Sequence, residues 1–491
     1  MVQISSLGVL LVESAMGIFQ NPTVISILAF IFILGAAVTL HEFGHFIVAK
    51  LLKIRVETFS FGFGPRLFGR KIGTTDYRIS AVPLGGYVKL GGDESNAPIE
   101  GEGASDIPAK ERFDLRPRWQ RILVALAGPA MNIVLALSIP FVGAVIYGVQ
   151  ATPPPVVRQI QPGGAAEAAG VQPGDRIVVF DGNENPKWRT IADDALLSPG
   201  QPLPIEVERN GQRIKLTIKP TPHTEEGETV GFLDFLPDYG AVPIVVRAVE
   251  PNTPAAEAGL RVEDRIVAVN GEQVKSAEQV TQLIRDHKGQ PITLRVERNG
   301  SPVDITATPR RLSDGKERLG FSPDEEIPYQ RVSIAGALAT AVETNFEYVR
   351  VTGKAMGQLF AGKRSVRNTI SGPIGIYRVA STSAIRLGWA GVFSMLGFLS
   401  LNLGVFNLLP IPVLDGGAIF LLLIEGLLAT VGMKISAIVR DRVQQVGFVV
   451  VILLMVFVIT NDLLKQASIW RGGNSSPPAT TSPTPAATPT K

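Results

Sequence analysis

A chain of 491 residues exceeds one ordinary domain, and its 45% hydrophobic content with a mean hydropathy of +0.23 points to a membrane part beside a soluble part. The absence of cysteine excludes disulfides, thiolate zinc sites and a cysteine nucleophile together, so any zinc must be held by His, Asp or Glu. The net charge of +3 does not read as nucleic-acid binding, because many basic residues gather beside apolar spans, where the positive-inside rule accounts for them.

The first apolar span runs from about Val24 to Val48, and its only ionisable side chains are His41, Glu42 and His45. Such groups are costly inside a spanning helix, so function is their default reading. The spacing His41-Glu42-Phe43-Gly44-His45 sets two imidazoles on one helix face, with a glutamate beside the water a bound metal would activate. Residues 1–49 hold no Lys or Arg, whereas the stretch from Lys50 to Arg121 is rich in both, which makes it a cytoplasmic loop. With Lys50 at the inner surface, His45 and His41 fall about 7 and 14 Å beneath it at the rise of a helix. The N-terminus lacks a basic n-region, so no cleavable signal peptide is expected, and Met16 is an alternative start.

Within the loop, Thr75 to Leu90 alternates Tyr77, Ile79 and Ala81 and breaks at Gly85-Gly86, the pattern of a hairpin strand dipping toward the membrane or of a plain cytoplasmic β-loop. A second span runs from about Ile122 to Val149; its Gly128, Pro129 and Asn132 permit close helix approach and a kink, which serves packing as readily as function.

Beyond it the chain repeats itself at an offset of 89: Gly170 and Gly259, Asp175 and Asp264, Gly182 and Gly271, Gly211 and Gly300. A fixed offset without insertions means two copies of one module, each read as a short strand, a small helix, a strand before a turn, a helix, and a hairpin turning at Asn-Gly. The module resembles the PDZ domain in its circularly permuted form. That resemblance implies either an extended peptide or C-terminal tail added to a sheet edge, or a spacer and size filter whose grooves stay empty. His223 and His287, in a linker and a turn, are expected to be exposed and to ligate nothing.

Residues 332–360 read as an amphipathic helix on the outer leaflet or a plain linker helix. A third span runs from about Trp389 to Leu409 and leads into Asn407-Leu408-Leu409-Pro410-Ile411-Pro412-Val413-Leu414-Asp415-Gly416-Gly417. Irregular backbone at membrane depth is tolerated only where protein buries it or water reaches it. Asp415 is therefore the candidate third metal ligand, the alternative being an acid that caps an ordinary helix exit. Residues 418–430 suit an interfacial helix better than a span. A fourth span runs from about Val446 to Ile459, and residues 475–491 form a Pro/Thr-rich tail expected to be disordered.

HEFGH, FSFGFGP (Phe59 to Pro65), TDYRISAVPLGGYVKL (Thr75 to Leu90), RPRWQRILVALAGPAMN (Arg116 to Asn132), the tandem repeat, SGPIGI (Ser371 to Ile376) and NLLPIPVLDGG lie in the order found in the site-2 proteases, and the chain resembles their bacterial branch from about Val24 to Leu464. The resemblance implies one catalytic Zn2+ held by His41, His45 and Asp415, Glu42 as general base, and hydrolysis of a peptide bond inside a transmembrane substrate. It also implies substrate contacts from Asn407, with satisfaction of carbonyls beside Pro410 as the plain alternative, and strand capture through Tyr77, Ile79, Gly85 and Gly86. The clients would be single-span proteins already trimmed outside, such as anti-sigma factors after a first cleavage, or signal-peptide remnants.

The expected fold is a polytopic α-helical membrane protein of about four transmembrane helices, with two extracytoplasmic PDZ domains of α+β type and a membrane-associated β-hairpin region. Its expected parts are 1–52 with the first helix, 53–118 as the β-region, 119–150 as the second helix, 153–222 and 240–310 as the two PDZ domains, and 328–387 as amphipathic linker helices. The third helix with the LDG motif takes 388–417, an interfacial helix 418–442, the fourth span 443–465, and the tail 472–491. Such a chain lies in the bilayer of the bacterial inner membrane, with both termini and the PDZ pair outside and the site toward the cytoplasm. A PDZ serine protease lacks a nucleophile elbow here. The remaining rivals are a non-catalytic PDZ scaffold and a zinc transporter, which usually repeats its membrane halves rather than its soluble part.

Overall fold

The computed structural model describes residues 21–92, 107–225, 228–240, 242–287, 289–311, 317–363, 372–433 and 436–472. Met16, Ser371 and the tail from Ser475, all named above, lie outside these residues. The chain divides into two compact units: residues 1–143, 224–229 and 335–491 form the first, and residues 144–223 and 230–334 the second.

Among the described residues four helices are long and apolar enough to cross a membrane. Helix α1 spans Pro22–Leu51, with Asn21 accepting from Thr23 N at 2.9 Å as its N-cap and Pro22 in the first turn, where a missing N–H costs nothing. Helix α2 spans Arg118–Tyr147. The third, Pro373–Asn407, is helical on both sides of Gly388, whose φ of 58° and ψ of −140° lie outside helical space. That break leaves Trp389 as the first residue of the second piece, where the apolar run begins. The fourth spans Ala437–Gly472, and from Val446 onward its apolar side chains face outward, Leu453 being 63% exposed, as lipid-facing groups would be. The helix Asp415–Thr430 has 16 residues, about 24 Å of rise, and is too short to cross.

The β-region consists of two antiparallel strands, β1 (Val56–Ile72) and β2 (Thr75–Leu90), each bent so that two strands make four rows. Phe59 faces Val88 on one side and Tyr77 on the other, and Tyr77 in turn also faces Arg70. The row order is therefore 86–90, 56–61, 75–80, 66–72. Gly62, at a φ of 89°, lies in the bend of β1, and a Cβ there would stand 2.8 Å from the Val82 carbonyl oxygen. Thr39 Oγ1 donates to the Gly85 carbonyl at 3.1 Å, tying this sheet to α1.

The helix Ile334–Phe360, expected from the sequence as an amphipathic or linker segment, packs on α2: Asn345 is buried and its Nδ2 donates to the Ala136 carbonyl at 3.0 Å. At the other side of the unit, Asp462 accepts from the amides of Gly372, Ile374 and Gly375 at 3.0, 3.0 and 3.2 Å, so a carboxylate of the fourth helix satisfies the N-terminal amides of the third.

The second unit repeats its elements at the spacing read from the sequence. Strands Arg176–Phe180, Leu203–Arg209 and Gln212–Ile218 recur as Arg265–Val269, Ile292–Arg298 and Ser301–Ala307, and the helix Trp188–Leu196 recurs as Ala277–Asp286. Each copy closes its own apolar core, one around Phe180, Ile191 and Ile205 and the other around Ile266, Val280 and Leu294. Each also carries the same buried ion pair: Arg209 Nε donates to Asp175 at 2.7 Å and Arg298 Nε to Asp264 at 2.7 Å, while the second guanidinium nitrogen reaches Gly170 O or Gly259 O at 2.8 Å. His223 is exposed as expected, but His287 is half-buried, with Nδ1 donating to Leu283 O at 2.7 Å and Nε2 2.6 Å from Asn270 Nδ2.

Candidate metal centre

Helical geometry places His41 and His45 one above the other on α1, and both are buried, at 6% and 8% exposure. The third helix ends at Asn407, and the segment with Pro410 and Pro412 turns back so that Asp415 opens the next helix. Its carboxylate caps nothing there, since Leu414 is the N-cap residue without a side-chain bond. Instead Asp415 Oδ2 lies 3.0 Å from His41 Nε2 and Oδ1 lies 3.5 Å from His45 Nε2, while the two Nε2 atoms are 3.3 Å apart. Among the described residues this is the one group of three His, Asp or Glu side chains whose donor atoms all lie within 4.8 Å of one another.

The donor set fits zinc. Two atoms each about 2.1 Å from a tetrahedral zinc stand about 3.4 Å apart, close to the 3.0 to 3.5 Å between these side chains, and three protein donors leave the fourth position for water or substrate. His45 Nδ1 donates to the Val124 carbonyl at 2.7 Å, which leaves its Nε2 as the lone-pair atom facing the cluster. Gly128 makes the room: a Cβ at that position would stand 2.3 Å from His45 Nε2 and 2.8 Å from His41 Cε1.

Glu42 adjoins the same space. With His41, His45, Asp415 and Asn407 it lines a cavity of about 760 Å³ that runs on between Val88, Leu90, Leu421 and Leu422 to Glu425 and Arg440, which pair with each other. Glu42 Oε2 accepts from Val88 N at 3.1 Å, so the outer row 86–90 of the sheet meets the glutamate directly. Asn407 Nδ2 lies 3.3 Å from His41 Nε2.

The proposed capture residues separate. Gly85 and Gly86 lie where β2 touches α1, and a Cβ on Gly86 would come within 3.3 Å of Thr39 Oγ1. Tyr77 and Ile79 sit in the inner row 75–80, paired on both edges, with the Tyr77 ring edge-on to Phe46 at 5.9 Å and Ile79 half exposed. A strand paired on both edges leaves no free backbone edge for an added chain. For Gly128 and Asn132 the sequence leaves packing and function open, because a small residue and an amide on a membrane helix look the same whether they pack or serve a site.

Spanning helices around two histidines, an aspartate and a neighbouring glutamate are the arrangement of a membrane metalloprotease. The model of Peptidase family M50 matches residues 29–454, and this chain belongs to that family, the site-2 proteases. It is 32% identical over 454 residues to the Regulator of sigma-E protease RseP of Escherichia coli, covering 88% of this chain and 97% of that protein. It is 31% identical over 463 residues to a Putative zinc metalloprotease of Vibrio cholerae, covering 89% and 98%. Among solved structures, the PDZ domain of the SdrC-like protein from Listeria monocytogenes aligns with 18% of this chain and 92% of its own at 18% identity, with a TM-score of 0.16 that carries no weight for the fold.

Proposed function

We propose that this chain is an intramembrane zinc endopeptidase of the bacterial inner membrane that cuts transmembrane segments of single-span proteins already trimmed outside. The observation that carries this reading is the convergence of His41, His45 and Asp415 on one wall of a cavity that Glu42 also lines. His41 Nε2, His45 Nε2 and an Asp415 oxygen would hold one Zn2+, which when bound lowers the pKa of a water toward about 7 and polarises the scissile carbonyl. Glu42 takes the proton of the attacking water and returns it to the leaving amine. Asn407, at the end of the third spanning helix, donates to the carbonyl oxygen as it gains charge.

A substrate helix hides its carbonyls in its own backbone bonds and must be unwound before attack. The outer row Gly86–Leu90 takes the extended stretch by β-addition, with its Val88 amide already engaged by Glu42. The duplicated modules are two PDZ domains outside the membrane, excluding untrimmed clients by size or binding their exposed tails. The basic loop from Lys50 to Arg121 lies in the cytoplasm, and both termini lie outside.

Glu42→Gln tests the assignment in purified protein with a single-span client. The variant keeps its zinc and its grip on the client, and cleavage falls by at least about 10²- to 10⁴-fold, the usual contribution of a positioned base. Cleavage within tenfold of wild type would remove Glu42 from the chemistry.

A further inference from the structure

Three positions on one stripe of α2, spaced four apart, face the two histidines. Val124 offers its carbonyl oxygen to His45 Nδ1 at 2.7 Å, Gly128 offers no side chain where the rings need space, and Asn132 brings its amide to 3.2 Å from His41 Nδ1. The first contact has one chemical meaning, because a carbonyl only accepts: Nδ1 of His45 carries a proton, which leaves Nε2 as the atom available to a cation. The second contact has two meanings, because amide oxygen and nitrogen exchange places by a half-turn.

Resting on the metal reading above, we propose that Asn132 is the positioning residue for His41: its Oδ1 accepts from His41 Nδ1–H and holds Nε2 toward the cation. A ring that gives Nε2 to a cation keeps its only N–H on Nδ1, and an amide nitrogen facing it would set donor against donor. As placed, Asn132 Oδ1 has no partner among the described residues, so turning the amide costs that oxygen no hydrogen bond. Asn132 is wholly buried and held from the other side as well. Ser400 Oγ donates to its backbone carbonyl at 3.0 Å, and a Cβ on Gly404 would come within 3.3 Å of the Asn132 Cβ. A side chain clamped between α1 and the third spanning helix, with one end on a ligand ring, fixes both the tautomer and the tilt of that ring.

Zinc affinity, read by competition with a chromophoric chelator on the full-length protein in detergent, tests this without reference to cleavage. Wild type holds one zinc per chain, and Asn132→Leu, similar in volume but without an acceptor, binds about 10- to 100-fold more weakly, the usual effect of losing a partner behind a metal-bound histidine. Asn132→Asp, which keeps an acceptor oxygen at the same reach, restores the affinity. If the Leu variant does not fold, Asn132→Ser, whose hydroxyl is too short to reach the ring, gives the same contrast with Asp. Equal affinity in the Leu or Ser variant, or an Asp variant no better than either, makes Asn132 a packing residue and overturns the inference. Wild-type protein without zinc overturns the metal reading as well, so the two failures are distinguishable.

Discussion

The membrane unit and the duplicated unit handle buried charge in opposite ways. In each repeat the carboxylate is closed off by a guanidinium fork and a backbone amide: Asp264 is 1% exposed, accepts Arg298 at 2.6 and 2.7 Å, and takes Arg261 N at 2.8 Å. In the membrane unit the acid at the centre of the site stays incompletely enclosed, with the Asp415 side chain 22% exposed to a cavity and its neighbours arranged around a shared space. A saturated carboxylate fixes a turn, whereas three donors facing one another call for a ligand.

The largest expected effect lies on the saturated side. Arg298→Leu leaves the Asp264 carboxylate without its guanidinium partner and should lower the stability of the second repeat by about 3 kcal/mol, the low end for breaking a buried pair because the guanidinium is partly exposed. Urea melts of the full chain followed by hydrogen exchange locate the loss; Arg209→Leu should reproduce it in the first repeat, and neither should change zinc content. A loss below about 1 kcal/mol would place these pairs with ordinary surface salt bridges.

A smaller effect is expected at Asp462, the acid in the membrane unit that is saturated like those of the repeats. Asp462→Ala removes the acceptor of three amides at the start of the third spanning helix and should cost about 2 kcal/mol, with Asp462→Asn costing less because one oxygen remains. Thermal unfolding in detergent measures both. Equal stability of all three proteins would show that those amides find other acceptors.

Much of this contrast was legible in the sequence, and the misses have physical causes. The 89-residue offset reproduced the repeat from its first strand to its hairpin, because a period without insertions preserves the paired registers over that length. The start of the third span at Trp389 was readable because the helix breaks at Gly388, where the apolar run begins. The convergence of Asp415 with the two histidines was anticipated because an isolated acid between Leu414 and Gly416 has few other uses at that depth. The sheet was harder: a two-stranded pattern cannot reveal that bends turn it into four rows, and that bending moved Tyr77 and Ile79 to the inside and 86–90 to the edge beside Glu42. Asp462 was not singled out because the apolar run ends near Ile459, and an acid at a span's end looks like simple exit into water.

The smallest effect is one of pH. Burial pushes the Asp264 carboxyl up, but the Arg298 guanidinium and the Arg261 amide outweigh it and hold it below its ordinary value of 3.8. A carboxylate with a depressed pKa contributes stability that is full above its unfolded value and is lost as pH falls through the folded one. The second repeat should therefore weaken below about pH 4, and Arg298→Leu should abolish that acid step. Denaturant midpoints taken between pH 3 and 7 measure it, and an unchanged acid step in the variant would assign it to other carboxylates.

The central claim is tested most directly by X-ray absorption at the zinc edge on purified, full-length wild-type protein together with elemental analysis. One zinc per chain with two imidazole scatterers and the remaining ligands oxygen is the expected result. A stoichiometry near zero, or a first coordination sphere with fewer than two imidazoles, would contradict it.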